Sequence, residues 1–98
     1  MKSRATARFW IAYRELPAET RELSRKAYTL FRDNPAHPSL NFKRVHNNEP
    51  IYSVRITRGY RALGLLEDDE ITWFWVGTHA AYDRIDVGTV TYEASRQR

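Results

Sequence analysis

Three arginines lie close together within residues 52–61, a stretch otherwise made mostly of aromatic and β-branched residues. Arg55, Arg58 and Arg61 carry planar guanidinium groups, which suit the oxygen atoms of a phosphate. Fixed cations can also stabilise the charge of a phosphoryl-transfer transition state without a metal ion. The stretch therefore indicates either an anion-binding surface or a sheet face that is basic because it is solvated.

The register of this stretch decides where its arginines point. The residue types on either side of Gly59 predict two antiparallel strands joined by a tight turn. A turn of only two residues would place Arg61 on the apolar face, because side chains alternate between faces. We expect instead a three-residue loop, residues 57–59, that ends on a left-handed Gly59. This loop pairs Ile56 with Tyr60 and Arg55 with Arg61.

The expected register places two guanidinium groups side by side on one face of the sheet, and Tyr52, Val54 and Ile56 on the other. Like charges directly opposite each other destabilise a sheet by roughly 0.2–1 kcal/mol. A polyanion bound between Arg55 and Arg61 would relieve that cost.

His79 and Tyr82 form a second candidate for chemistry. They lie three residues apart, so they share a face if residues 79–85 make a short helical turn. The free pKa of histidine, about 6.5, lets this side chain move protons in either direction near neutral pH. The alternative is a histidine at a strand end that is satisfied by the backbone. We interpret His37 and His46, which lie in a connector and a turn, as structural.

The charges are sorted along the chain. The net charge is +4, and residues 41–61 hold five basic residues against one acid. Lys43 and Arg44 begin this basic segment, whereas residues 67–70 form an acidic tetrad that predicts a polar turn. The distribution favours an anionic partner.

Several classes of protein are excluded or disfavoured. The chain contains no cysteine, which excludes disulfides and thiolate metal sites. Its three histidines show no metal-ligand spacing, so we expect no metal. No segment is apolar enough to span a bilayer or resembles a signal peptide, which predicts a cytoplasmic protein without a membrane partner. Aromatic residues at 9–10 and 73–75 could stack bases, but we interpret them as core.

The elements that position these residues suggest an α+β fold in a single domain, residues 1–98, with its core at about residues 5–86. Two N-terminal helices are expected on one face of a twisted, mainly antiparallel sheet of about four strands. The other face is left for function, and the tail over 87–98 is expected to be loosely held. The predicted helices cover residues 5–16, after a few extended residues, and 18–32; the predicted strands cover 41–45, 52–56, 60–66 and 71–78.

Four short segments, taken in order, carry a resemblance to a known family. They are Leu40-Asn41-Phe42-Lys43-Arg44, Tyr52-Ser53-Val54-Arg55-Ile56, Gly59-Tyr60-Arg61-Ala62-Leu63, and Val76-Gly77-Thr78-His79 followed by Tyr82. In this order they resemble the RelE/ParE superfamily of toxins from type II toxin-antitoxin systems. The resemblance implies a metal-independent ribonuclease that uses no cofactor, cuts mRNA in the ribosomal A site, and is held inactive by a cognate antitoxin.

The resemblance also implies roles for particular residues. Arg61 matches a transition-state arginine, Arg55 a basic residue of the preceding strand, and Tyr82 a C-terminal tyrosine. His79 stands where some members have arginine and others histidine. Lys43, with Arg44 and Arg58, is expected to bind the substrate.

The chain departs from the family pattern at two points. Ser53 replaces a second lysine, and the glutamate base of some relatives has no counterpart. Proton transfer would then fall on His79 or Tyr82. Two other functions stay open: a ParE-like poison of DNA gyrase, and a catalytically degenerate module that binds nucleic acid and its antitoxin.

Overall fold

The computed structural model describes residues 1–82. Two helices and a sheet of five strands make up most of this region, with a short 3-10 turn before the second strand and one helical turn at the end. In chain order the elements are β1 (Lys2–Ala5), α1 (Ala7–Arg14), α2 (Ala18–Asp33), the 3-10 turn (Pro38–Leu40), β2 (Lys43–Arg44), β3 (Ile51–Thr57), β4 (Tyr60–Glu67), β5 (Glu70–Thr78) and α3 (His79–Tyr82).

The strands lie in the order β1-β5-β4-β3-β2. Strand β1 pairs with β5 in parallel, and the other neighbours are antiparallel. The predicted α+β class is confirmed. The fifth strand, β1, was not predicted, because its partner β5 lies about 70 residues away in the sequence and leaves no local pattern in it.

The two helices pack on one face of the sheet, and their predicted positions are confirmed. Thr6 caps α1, since its hydroxyl accepts a hydrogen bond from the Phe9 backbone amide at 3.1 Å. Phe31 from α2 packs edge-on against Trp73 of β5, with ring centroids 5.3 Å apart. Val54 from β3 belongs to the same buried cluster. This face therefore holds the larger part of the core.

The hairpin between β3 and β4 brings Arg55 opposite Arg61, as predicted, but by a different loop. Thr57 pairs with Tyr60, so the loop has two residues, and Ile56 forms a bulge. The predicted left-handed Gly59 is wrong, since no glycine within residues 1–82 has a positive φ. Because the bulge at Ile56 adds one residue to β3, a two-residue loop is enough to keep both arginines on one face.

A second bulge interrupts the pairing of β4 with β5. Leu63 pairs with Trp75 and Gly64 pairs with Trp73, which leaves Phe74 as the extra residue. Trp73 joins the core under the helices, whereas Phe74 and Trp75 pack with Leu63 on the opposite face. Side chains therefore pack on both faces of strand β5, as its aromatic run predicts.

The acidic tetrad forms the turn between β4 and β5, as predicted. Asp68 and Asp69 both have positive φ, 51° and 61°, which fits a two-residue hairpin turn. No helix within residues 1–82 is long and apolar enough to cross a membrane. The continuation of the last helical turn to residue 85, and the tail at 87–98, lie outside the described residues. A single domain over residues 1–98 stays a prediction.

Candidate active site

Arg61 and His79 are in direct contact. Strand pairing places Arg61 opposite Gly77, two residues before His79. The Nε atom of Arg61 then donates a hydrogen bond to Nδ1 of His79 at 3.1 Å. Two residues 18 positions apart in the sequence therefore form one cationic site on the face of the sheet opposite the helices.

Backbone contacts hold His79 in this position. Its amide donates a hydrogen bond to the carbonyl of Gly59 at 2.9 Å, which ties the start of α3 to the tip of the β3–β4 hairpin. The hydroxyl of Thr78 accepts a hydrogen bond from the Ala81 amide at 3.0 Å. The helical turn predicted over residues 79–85 is confirmed over His79–Tyr82, and this turn directs the imidazole back towards Arg61.

The hydrogen bond also assigns the tautomer of His79. A guanidinium can only donate, so Nδ1 must present its lone pair. The ring N–H of His79 then lies on Nε2. His79 therefore presents an N–H donor to the solvent, while the lone pair that could accept a proton faces Arg61.

Tyr82 lies on the same helical turn. Its ring is nearly parallel to the imidazole of His79, with an interplanar angle of 9° and centroids 6.0 Å apart. On its other side the ring approaches Trp75, with centroids 6.4 Å apart. The two predicted proton-transfer residues are thus neighbours, and Trp75 extends the aromatic surface.

Arg55 stands directly opposite Arg61 in the sheet. Its Nε atom is buried and has no hydrogen-bond partner within residues 1–82. An unpaired buried donor costs about 1–3 kcal/mol. No carboxylate among the described residues forms a salt bridge with either arginine. No acidic side chain in this part of the chain therefore neutralises the positive charges of Arg55 and Arg61.

Lys43 extends the cationic face. It pairs with Ser53 across the β2–β3 ladder, and Ser53 lies two residues before Arg55. Side chains two apart on a strand share a face, so Lys43, Ser53 and Arg55 lie on the same side of the sheet. The hydroxyl of Ser53 is buried without a partner in the described region. Position 53 is serine here, whereas the family pattern has lysine. The centre of this face therefore lacks that second basic side chain.

The remaining two predicted substrate-binding residues lie elsewhere. Arg58 is exposed at the hairpin tip, and Arg44 pairs with Tyr52, on the face opposite to Lys43. The guanidinium of Arg44 donates to the carbonyls of His46 and Asn47, at 3.0 and 3.5 Å. Contact of Arg44 and Arg58 with a substrate stays a prediction.

The other two histidines have structural positions, as the sequence indicates. Nδ1 of His46 accepts hydrogen bonds from the amides of Asn48 and Glu49, at 3.2 and 2.9 Å. Nδ1 of His37 accepts from the Ser39 amide at 3.2 Å. Both rings cap turns, so His79 is the histidine that the fold brings to the cationic face.

The aromatic residues divide between the two faces, although we interpreted all of them as core. Trp73 and Phe74 are buried, as expected. Trp75 is half-buried beside the cationic site, and Trp10 is 47 % exposed on α1. Gly77, a glycine inside a strand, was the sequence signal for a close approach at this site, since such positions often mark a bulge or a close contact.

An apolar groove lies on the opposite side of the sheet, between the helices and β3. Its volume is about 670 Å³, and Trp10, Tyr28 and Ile56 are among its lining residues. Arg25 at this groove bonds to Glu22, which lowers the pKa of that carboxyl and raises the pKa of the guanidinium. The groove is separate from the cationic site, because the sheet lies between them.

Fold and site together define a small α+β domain with an arginine–histidine site on the face of its sheet opposite the helices, at the edge of a second buried apolar cluster. The arrangement is suited to a phosphate group. The expectation that this whole face is left for function is wrong, since Ile51, Leu63 and Phe74 are buried on it. A family model described as the ParE-like toxin domain matches residues 19–84, about two thirds of the chain. The chain therefore belongs to this family of toxins, within the RelE/ParE superfamily. No curated protein sequence matches the chain.

Solved toxin structures share the fold. RelE in the RelB-RelE antitoxin-toxin complex from Methanococcus jannaschii aligns with a TM-score of 0.68 at 15% identity, over 84% of this chain and 98% of that one. YafQ from E. coli gives 0.66 at 15% identity, over 83% and 96%. A YoeB/ParE toxin from Agrobacterium tumefaciens gives 0.65 at 16% identity, over 81% and 99%. At these identities the similarity establishes the fold.

Proposed function

We propose that this protein is the toxin of a type II toxin-antitoxin pair and acts in the cytoplasm as a metal-independent endoribonuclease that cleaves mRNA on the ribosome. The observation that carries the proposal is the hydrogen bond from Arg61 to His79, formed beside Arg55 on the face of the sheet opposite the helices. This arrangement supplies fixed positive charge for a phosphate together with a group that can transfer a proton.

The arginines act on the phosphate. Arg61 and Arg55 are opposite each other, so an anion that binds between them neutralises their repulsion as it binds. Guanidinium groups hold phosphate oxygens by charge-assisted hydrogen bonds, and these become stronger as charge builds up in the transition state. Lys43, on the same face, extends the binding surface along the RNA backbone.

Substrate binding also activates His79. Without substrate, the lone pair of Nδ1 is occupied by the Arg61 Nε–H. When the guanidinium of Arg61 turns to the scissile phosphate, this hydrogen bond is released. Nδ1 is then free to accept a proton, so the phosphate that Arg61 recognises is also the trigger that makes His79 a base.

The reaction then needs no outside reagent. The 2′-hydroxyl gives its proton to Nδ1 of His79, and the 2′-oxygen bonds to the adjacent phosphorus. The bond from phosphorus to the 5′-oxygen breaks, and this oxygen takes a proton from the Tyr82 hydroxyl. The products are a 2′,3′-cyclic phosphate and a 5′-hydroxyl, and exchange with water restores the protons on both residues.

The proposed partner of the toxin is a cognate antitoxin. The structural relative from Methanococcus jannaschii was solved as an antitoxin-toxin complex, which supports such a partner here. The net charge of +4 favours an antitoxin with an acidic segment.

Cleavage of mRNA by purified protein and ribosomes tests the proposal. We expect cuts within the A-site codon, with 2′,3′-cyclic phosphate ends and no loss of activity in a metal chelator. Arg61→Ala should reduce the rate about 10²–10³-fold, and His79→Ala about 10²–10⁴-fold. His37→Ala is the matched control, since its ring only caps a turn. No cleavage by the wild type, or full cleavage by both site variants, would refute the proposal.

The second candidate function is a gyrase poison without ribonuclease activity. The description of the matching family model as ParE-like favours it. Expression in cells distinguishes the two functions: DNA damage with intact mRNA supports the gyrase poison, and cut mRNA with undamaged DNA supports the ribonuclease.

A further inference from the structure

The indole of Trp75 lies against the backbone of Gly77. A Cβ atom built on Gly77 would be 2.6 Å from Cζ2 of Trp75 and 3.0 Å from its Cη2. Carbon atoms in proteins do not approach this closely, so only glycine leaves room for the ring. The six-membered part of the indole therefore points along the strand from position 75 towards position 77.

This direction brings the indole to the candidate active site. Gly77 pairs with Arg61, so a ring over Gly77 lies beside the arginine that we assign to the phosphate. Tyr82 borders the same ring on another side, at 6.4 Å between centroids. The half-buried Trp75 thus presents a flat apolar surface next to a fixed positive charge.

We propose that the Trp75 indole is a stacking platform for an RNA base next to the phosphate held by Arg61, and that Gly77 exists to let the ring lie there. The proposal rests on the proposed function, because it takes single-stranded RNA as the substrate. Proteins commonly bind unpaired bases on aromatic rings and the adjacent backbone on cations. Trp75 and Arg61 provide both parts within one pair of strands.

Trp75 also packs against Leu63, so a purely structural role must be separated from stacking. A structural role needs only a large apolar side chain at this position. Stacking needs an aromatic ring, and it affects only ligands that carry bases. The two roles therefore predict different RNA affinities for Trp75→Leu and Trp75→Phe. They also differ in whether the change in affinity requires bases on the ligand.

Binding of two labelled oligonucleotides to the intact protein separates these roles. One is a short 2′-O-methyl RNA, which cannot be cleaved because its 2′-oxygen carries no proton, and the other has the same backbone with abasic sites. We expect Trp75→Leu to weaken binding of the first roughly 5- to 150-fold and to leave the abasic ligand unchanged. Trp75→Phe should retain most of the difference between the ligands.

Two further variants complete the test. Gly77→Ala should displace the indole and reproduce the selective loss shown by Trp75→Leu. Trp10→Leu, the same change at an exposed tryptophan of α1, should bind both ligands as the wild type does. Thermal unfolding confirms that each variant is folded, and Gly77→Ala replaces Trp75→Leu in the comparison if Trp75→Leu does not fold.

Failure of this proposal can be told apart from failure of the proposed function. If Trp75→Leu binds the base-bearing ligand as tightly as the wild type, or weakens both ligands equally, Trp75 is not a stacking platform. If selective binding is found but the wild type does not cleave mRNA on ribosomes, stacking stands and the ribonuclease proposal fails.

Discussion

The two faces of the central sheet are built from alternating residues of the same strands, yet they differ in what covers them. Val54 and Ala62 face the helices and are 4 % and 8 % exposed. Their sequence neighbours Arg55 and Arg61 face the other way, are partly exposed, and carry charges unmatched by any carboxylate in the described region. One residue step along a strand therefore separates a packed position from a charged one.

Stability and the proposed function lie on different faces of the sheet. Apolar burial under α1 and α2 stabilises the fold by about 25 cal/mol for each Å² removed from water. The cationic face instead holds two facing guanidinium groups and an unpaired Arg55 Nε, which both cost stability. Burial on the helix face therefore offsets a stability cost at the face that we propose binds an anion.

The largest effect is expected from Phe31→Ala on the helix face. The Phe31 ring is 2 % exposed and packs edge-on against Phe42 and Trp73. Its loss should lower the free energy of unfolding by about 3–5 kcal/mol, because it leaves a cavity in the core. Urea denaturation measures this. A change below about 1 kcal/mol would mean that the helix face does not hold the main core.

Substitutions at two neighbouring residues, one on each face of the sheet, should separate effects on cleavage from effects on stability most clearly. Arg55→Met removes a charge and the buried Nε but keeps the apolar stem. We expect cleavage to fall by about 10²-fold, while the free energy of unfolding stays equal or rises by up to about 1 kcal/mol.

Val54→Ala is its matched control, one residue earlier on the opposite face. It should lower the free energy of unfolding by about 1–3 kcal/mol, while the folded protein cleaves at the wild-type rate. Cleavage assays and denaturation of both variants check the pair. A loss of stability in Arg55→Met comparable to that in Val54→Ala would contradict the division of roles.

Lys43→Ala should have a smaller effect, confined to binding. Lys43 is exposed on strand β2, on the same side as Arg55. Removing one phosphate contact should weaken RNA binding about fivefold at 0.1 M salt and reduce the slope of log K against log salt by about 0.7. Titrations at several salt concentrations measure the slope. Lys26→Ala, the same change at an exposed lysine of α2 on the other side of the sheet, should leave the slope unchanged.

The smallest effect is expected at the β4–β5 turn, which lies away from both the core and the site residues. Asp69 adopts φ of 61°, a conformation that glycine takes without steric cost. Asp69→Gly should raise the free energy of unfolding by about 0.5 kcal/mol, with cleavage unchanged. Thermal denaturation detects the shift, and a decrease in stability would show that the aspartate makes a contact worth more than the strain.

Much of the fold could be predicted from local pattern. The apolar stripe of α2 and the β-branched and aromatic run of β5 placed those two elements within one residue of their observed bounds. The loop conformation of the β3–β4 hairpin could not be predicted, because a bulge at Ile56 and a longer loop satisfy the same alternation of side chains. Strand β1 was missed as a strand because its pairing is non-local.

The candidate site could likewise be predicted from the sequence only in part. Residue types singled out Arg55, Arg61 and His79, but a spacing of 18 positions between the last two says nothing about contact. Trp75 was interpreted as core because a Trp-Phe-Trp run gives no sign of the bulge at Phe74. That bulge places two consecutive aromatic rings on one face.

By itself, the sequence determined that the arginine hairpin is basic on one face and apolar on the other, since strand alternation follows from backbone geometry. Only the tertiary structure decided that the hairpin tip meets the end of β5, where a backbone hydrogen bond from His79 to Gly59 joins them. Contacts between distant segments depend on strand order and on bulges, and these are set by packing of the whole sheet. For this reason, the contact between Arg61 and His79 emerges only in the folded chain.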